Sequence, residues 1–137
     1  MKIIGIDYGD TRTGLAISDK DERLAFSIGT VTAKNIETAV RLVAEKIREN
    51  EAEKVVLGLP KNMDGSEGFR AEKTRKFASA LSEIFPDMSI EFLDERLTTK
   101  AAEYYLNVTN TRGKKRKNTV DTMAAQIILQ DYLDRKK

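Results

Sequence analysis

Residues 3 to 18 constrain this chain more than any other stretch. Ile3-Ile4-Gly5-Ile6-Asp7 is an apolar strand that ends in a carboxylate, Tyr8-Gly9-Asp10-Thr11 is a turn, and Arg12-Thr13-Gly14-Leu15-Ala16-Ile17-Ser18 resumes an apolar, extended pattern. Two strands joined by so short a connection pair antiparallel and begin a sheet. An aspartate at the end of a buried strand is costly unless a cation, a phosphate-bound metal or a hydrogen-bond donor stands against it. Gly9 can take a positive φ and has no Cβ, so backbone or substrate can come close to the carboxylate. Two readings follow from this stretch alone: Asp7 belongs to a catalytic site, or it caps the turn that Gly9 permits.

The later segments extend the sheet. Leu24 to Val31 alternates as a third strand, which makes a meander with the first two. Asn35 offers a helix cap before Ile36, Ala39, Val40, Val43, Ala44 and Ile47, whose spacing predicts an amphipathic helix. Lys54 to Leu59 is a nearly continuous apolar run ended by Pro60, as expected of a strand covered on both faces. A crossover helix leading to a parallel strand is the simplest connection. The loop Lys61 to Ser66 then lies at the carboxyl end of that strand, where open α/β sheets place their sites. The plainer alternative is a simple connector in which Ser66 caps the next helix, a helix striped by Phe77, Ala78, Leu81 and Ile84. Met88 to Leu93 reads as a fifth buried strand that runs into Asp94-Glu95-Arg96-Leu97-Thr98-Thr99, again placing acids at a strand's carboxyl end. A helix capped by Thr98 or Thr99 follows through Leu106. Thr119 caps a last helix with Val120, Met123, Ala124, Ile127 and Ile128 on its apolar face and Asp121 in its first turn, where the dipole favours an acid.

The 137 residues contain no cysteine and no histidine. That excludes thiolate nucleophiles, Cys/His zinc sites and imidazole acid/base catalysis, so any enzyme chemistry falls to carboxylates, lysines, hydroxyls or a bound metal. The length suits one domain. Neither a membrane-spanning run nor an export leader is visible, and without a disulfide the cytoplasm is the expected compartment. Residues 112 to 137 hold eight Lys/Arg against three Asp, leaving 16 against 19 in the preceding part. Most of the excess is Arg112, Lys114, Lys115, Arg116 and Lys117, which form either a solvated loop or a phosphate-binding arm. The run of like charges around Gly113 suggests a mobile loop between the two final helices.

The order of elements, with acids after the first and fifth strands and on the last helix, resembles ribonuclease H-like nucleases. Residue by residue it is similar to the YqgF family, whose members are assigned to pre-16S ribosomal RNA processing and, under the name RuvX, to Holliday junction resolution. The matching residues are Gly5-Ile6-Asp7-Tyr8-Gly9 with Arg12 and Gly14-Leu15-Ala16; Gly58-Leu59-Pro60 with Met63-Asp64-Gly65-Ser66; Asp94 to Thr99 with Ala102-Glu103; and Val120-Asp121 with Ala124-Ala125 and Ile128-Leu129. The resemblance implies an α/β fold with a five-stranded mixed sheet flanked by helices, spanning residues 1 to 137.

It also implies metal-assisted phosphodiester hydrolysis on structured RNA or branched DNA. Asp7, Glu95 and Asp121 would hold Mg²⁺ or Mn²⁺, as two ions, with Asp7 bridging; the family motif leaves Asp94 and Glu95 both open as the middle ligand. Hard cations of this kind prefer oxygen ligands, and a pair of them stabilises the attacking and leaving oxygens of an in-line displacement. Arg12, Lys114, Lys115, Arg116 and Lys117 would hold phosphates, setting position without reading sequence. Processing of the 5′ end of pre-16S rRNA is the leading expectation. Junction resolution, which needs two active sites and so favours a homodimer, is an alternative, as is a binding module of the same fold that does not cut. Asp7 to Thr11 also resembles the first phosphate loop of actin-like and sugar kinases, but those enzymes close two lobes on ATP and this chain has length for one.

Overall fold

The computed structural model describes residues 1–62, 64–94 and 113–135, the last segment with side chains from residue 123 onward. Strands β1 (Ile3–Asp7), β2 (Arg12–Ser18) and β3 (Ala25–Thr32) form the expected meander, followed by α1 (Ile36–Glu49), β4 (Lys54–Leu59), α2 (Phe69–Ile84), β5 (Ser89–Asp94) and α3 (Gly113–Arg135). The five strands make one sheet in the order β3-β2-β1-β4-β5. β1 pairs antiparallel with β2, with Asp7 opposite Gly14, and parallel with β4, with Ile6 opposite Leu57. β4 in turn runs parallel to β5, and Leu59 stands opposite Asp94. The sheet is therefore mixed, and the carboxyl ends of β1, β4 and β5 share one edge.

Strand alternation divides the core in two. Ile4, Ile6 and Tyr8 face α1 and α2, where they pack with Val43, Ile47, Phe77 and Leu81. Ile3, Ala16, Val56 and Leu93 face the other way, against Ala125, Ile128, Leu129 and Leu133 of α3. Gly5 lies on this second face, and a Cβ there would come within 2.7 Å of the Leu129 Cβ and 3.1 Å of the Ala125 carbonyl. The helix rests directly on the β1 backbone. Two glutamines fasten α3 to β3 as well: Gln130 Oε1 accepts from the Ala25 amide at 2.9 Å, and Gln126 Nε2 donates to the Ala25 carbonyl at 3.1 Å.

Asn35 caps α1 as its position suggested, its Oδ1 accepting from the Thr38 amide at 2.8 Å. Asn35→Ala removes that acceptor and should cost about 1 kcal/mol. The urea midpoint of unfolding should fall while the slope stays unchanged.

Several local expectations are corrected. Ser66 does not cap α2; Gly68 precedes the helix, and Ser66 instead donates from its backbone and hydroxyl to Asp64 Oδ1 at 2.9 and 2.6 Å. A serine beside an aspartate two residues back finds this local acceptor before the helix begins. Ile84 is 40% exposed, and the buried stripe of α2 consists of Ala71, Thr74, Phe77, Ala78 and Leu81. β5 is an edge strand on which only Leu93 is buried. Phe92 lies under Arg75 of α2, whose guanidinium sits 4.9 Å from the ring centre, and Ile90 on the same face is partly buried against the core. The mobile loop expected at 112 to 117 is also overturned from Gly113 onward: these residues already form α3, and Thr119 lies inside the helix. Lys and Arg are good helix formers, and each residue added to an existing helix brings another backbone hydrogen bond. Arg112 and the helix expected after Thr98 or Thr99 lie outside the described residues.

Candidate active site

Asp7 closes β1 as a half-buried residue. By alternation it belongs to the same face as Ile3 and Gly5, the face covered by α3. Across the antiparallel pair, Arg12 and Gly14 share the face of Ala16 and so lie on this side too. Arg12 opens β2 opposite Thr32 and is half-buried. The turn between them depends on Gly9, although not through a positive φ. Among the described glycines that conformation belongs to Gly29 and Gly65. What Gly9 provides is room, because a Cβ would collide with the Arg12 carbonyl oxygen.

The direction of α3 sets where the backbone of Asp121 lies. Near its carboxyl end, Tyr132 lies under the Lys54 ammonium, 5.1 Å from the ring centre, at the start of β4. Ala125 and Leu129 flank Gly5, midway along β1. Asp121 is four residues further toward the helix start, about 6 Å of helix. Asp7 is two residues beyond Gly5, about 6.6 Å of strand. The helix backbone at Asp121 therefore runs over the end of β1.

The third expected acid, Glu95, lies outside the described residues. Its neighbour Asp94 ends β5, opposite Leu59. Leu93 faces α3, which puts Asp94 on the opposite face from Asp7. Among the described residues no three acidic side chains stand together as a metal site; the side chains of both Glu95 and Asp121 fall outside that set. Lys114, Lys115, Arg116 and Lys117 occupy the first turns of α3, on the approach to Asp121.

On the α2 side of the same edge the structure brings together residues that the sequence did not single out. Lys73 Nζ bonds Asp10 Oδ1 at 3.0 Å, and Tyr8 stacks on Phe77 with centroids 4.7 Å apart. Burial, helped by the Asp10 carboxylate and opposed by the Lys73 ammonium, raises the pKa of the Tyr8 hydroxyl above its ordinary value. It stays protonated at neutral pH, able to donate. The only early signal was a basic pair at i, i+3 spacing, Arg70 and Lys73, just after the β4 loop. That loop is pinned by the Asn62 carbonyl, which accepts from the Gly65 amide at 2.9 Å, and by the left-handed backbone of Gly65, φ 91°.

The comparisons with known proteins agree with this architecture. Residues 1–135 match the family model described as "RuvX: Holliday junction resolvase". A protein of Caldanaerobacter subterraneus subsp. tengcongensis, named as a candidate pre-16S rRNA nuclease, is 45% identical over 100% of this chain and 99% of its own length. Another of the same name, from Halothermothrix orenii, is 44% identical over 98% of this chain and 95% of its own. Among solved structures, T. thermophilus RuvC in complex with a Holliday junction superposes with a TM-score of 0.64 at 14% identity, covering 100% of this chain and 97% of that one. Fowlpox virus resolvase bound to junction DNA gives 0.57 at 14% identity, covering 99% of each chain. At such low identity these two likenesses speak to the fold, which is ribonuclease H-like.

Proposed function

The chain belongs to the RuvX family, and from that premise we propose that it is a divalent-metal-dependent endonuclease that processes the 5′ end of pre-16S rRNA in the cytoplasm. The observation that carries this reading is full-length relatedness, at 45% and 44% identity, to proteins named for that activity. The position of Asp7 at the end of β1, beneath the helix that bears Asp121, supports the choice of site. Asp94 belongs to the other face, which favours its neighbour Glu95 as the third acid.

These donors suit the metal. Three carboxylates offer oxygen ligands and no nitrogen or sulfur, the set that Mg²⁺ and Mn²⁺ accept. When bound, such ions supply charge neutralisation at the phosphate and lower the pKa of water. The chain's own part is to hold Asp7 rigidly on a central strand, to keep phosphates in place with Arg12 and the basic start of α3, and to shield the site with α3.

Cleavage of a labelled panel, comprising a pre-16S 5′ precursor, duplex RNA, duplex DNA and a four-way junction, tests the reading with Mg²⁺ or Mn²⁺. The expected result is metal-dependent cutting of the precursor. Preferential cutting of the junction, together with a dimer by light scattering, would instead assign the activity that the family description names. Binding without cutting under every condition would leave a docking module.

Changing Lys114, Lys115, Arg116 and Lys117 together to Ala should weaken binding of every strand alike. Each phosphate that is no longer neutralised lowers the salt slope by roughly one unit. Alanine keeps helix propensity, so the melting temperature should change little. An unchanged affinity and slope would make this segment a solvated face and leave Arg12 as the main phosphate holder.

A further inference from the structure

Beside the β1–β2 turn lies a cleft lined by Tyr8, Gly9, Asp10, Arg70, Lys73 and Thr74. It opens at the same sheet edge as Asp7, on the α2 side. Arg70 and Lys73 are neighbours on one face of α2, three residues apart. Arg70 is exposed, and among the described residues it has no carboxylate within ion-pair distance. Lys73 lies 3.0 Å from Asp10 Oδ1, and its ammonium also stands 4.6 Å from the centre of the Phe69 ring.

We propose that Arg70 and Lys73 form a seat for one backbone phosphate of the nucleic acid, flanking the phosphate that is cut, with Asp10 holding Lys73 until the strand arrives. The seat rests on the nuclease reading above and adds a binding group to it. A guanidinium fork matches two phosphate oxygens, and a lysine adds a point charge beside it. The Asp10 side chain is 67% exposed and that of Lys73 33%, and so open an ion pair contributes little to stability. Exchanging the carboxylate for a phosphate oxygen is therefore cheap. The Phe69 ring keeps the ammonium at the cleft through that exchange. The cleft is too small to take a base, and two of its lining residues are cations, which suits a phosphate held across its mouth.

Binding of labelled single strands, duplexes and a four-way junction, measured in chelator so that no cleavage intervenes, tests the seat. Arg70→Ala with Lys73→Ala should raise Kd about tenfold and lower the salt slope by about two units. Lys73→Arg should restore most of the loss of Lys73→Ala. Asp10→Asn should tighten binding about threefold by releasing Lys73, and that gain should vanish when Lys73 is Ala. A merely structural Asp10–Lys73 pair predicts the reverse, a loss in Asp10→Asn. If the wild-type chain binds but the double variant keeps its affinity and slope, or the Asp10→Asn gain survives in Lys73→Ala, the seat is overturned and the nuclease reading stands. A wild-type chain that binds none of these strands in chelator overturns the seat, and the cleavage panel with Mg²⁺ or Mn²⁺ then decides the nuclease reading separately.

Discussion

Asp7→Asn should reduce metal-dependent cleavage on the order of a thousandfold, equivalent to about 4 kcal/mol of transition-state stabilisation. The amide keeps the size of the side chain at the end of β1 but loses the charge that would draw two cations to one point. Stability without metal should hold or rise, because clustered carboxylates repel one another. Glu95→Gln and Asp121→Asn should behave alike, whereas Asp94→Asn should stay active. Cleavage rates beside thermal melts separate the cases: near-wild-type activity in purified Asp7→Asn removes the mechanism, and an inactive Asp94→Asn beside an active Glu95→Gln reverses the choice between neighbours.

Gly5→Ala should damage the fold with a single methyl group. The added carbon would meet Leu129 Cβ at 2.7 Å and the Ala125 carbonyl at 3.1 Å, neither of which is the movable tip of a side chain. Relief requires α3 to lift from β1, and overpacking of this kind costs about 1 to 3 kcal/mol. For a chain of this size that lowers Tm by roughly 4 to 12 °C. The same lift would carry Asp121 away from Asp7, so cleavage should fall by more than the loss of folded protein explains. Measuring activity well below the new Tm isolates this part. If activity there matches wild type, Asp121 does not act together with Asp7.

What could be read from the sequence was whatever depends on neighbours along the chain. The apolar run of β4, the Asn35 cap and the acid at the end of β1 each express a local rule. The α3 start did not, because Lys114 to Lys117 satisfy two local rules at once, charge repulsion and helix propensity, and the packed half of the helix settles the matter. β5 was misread as buried because Ile90 and Phe92 are apolar; Arg75 of α2 covers Phe92 instead of a further layer. The cleft was invisible for a different reason. Lys73 and Asp10 are 63 residues apart, and only the placing of α2 beside the β1–β2 turn makes them partners.

The two glutamines of α3 have a bearing on how this chain behaves in a crowded solution. β3 is an edge of the sheet, and such an edge offers unpaired amides and carbonyls as a template for another chain. At Ala25 both groups are already taken by Gln130 and Gln126, so an incoming strand finds no first rung there. Further along β3, the extra residue Ile28 and the left-handed Gly29 break the ladder opposite Leu15 and Ala16, and twist what remains out of register. Edge-to-edge pairing seeded by the exposed ring of Phe26, which lies between these two interruptions, should therefore be disfavoured.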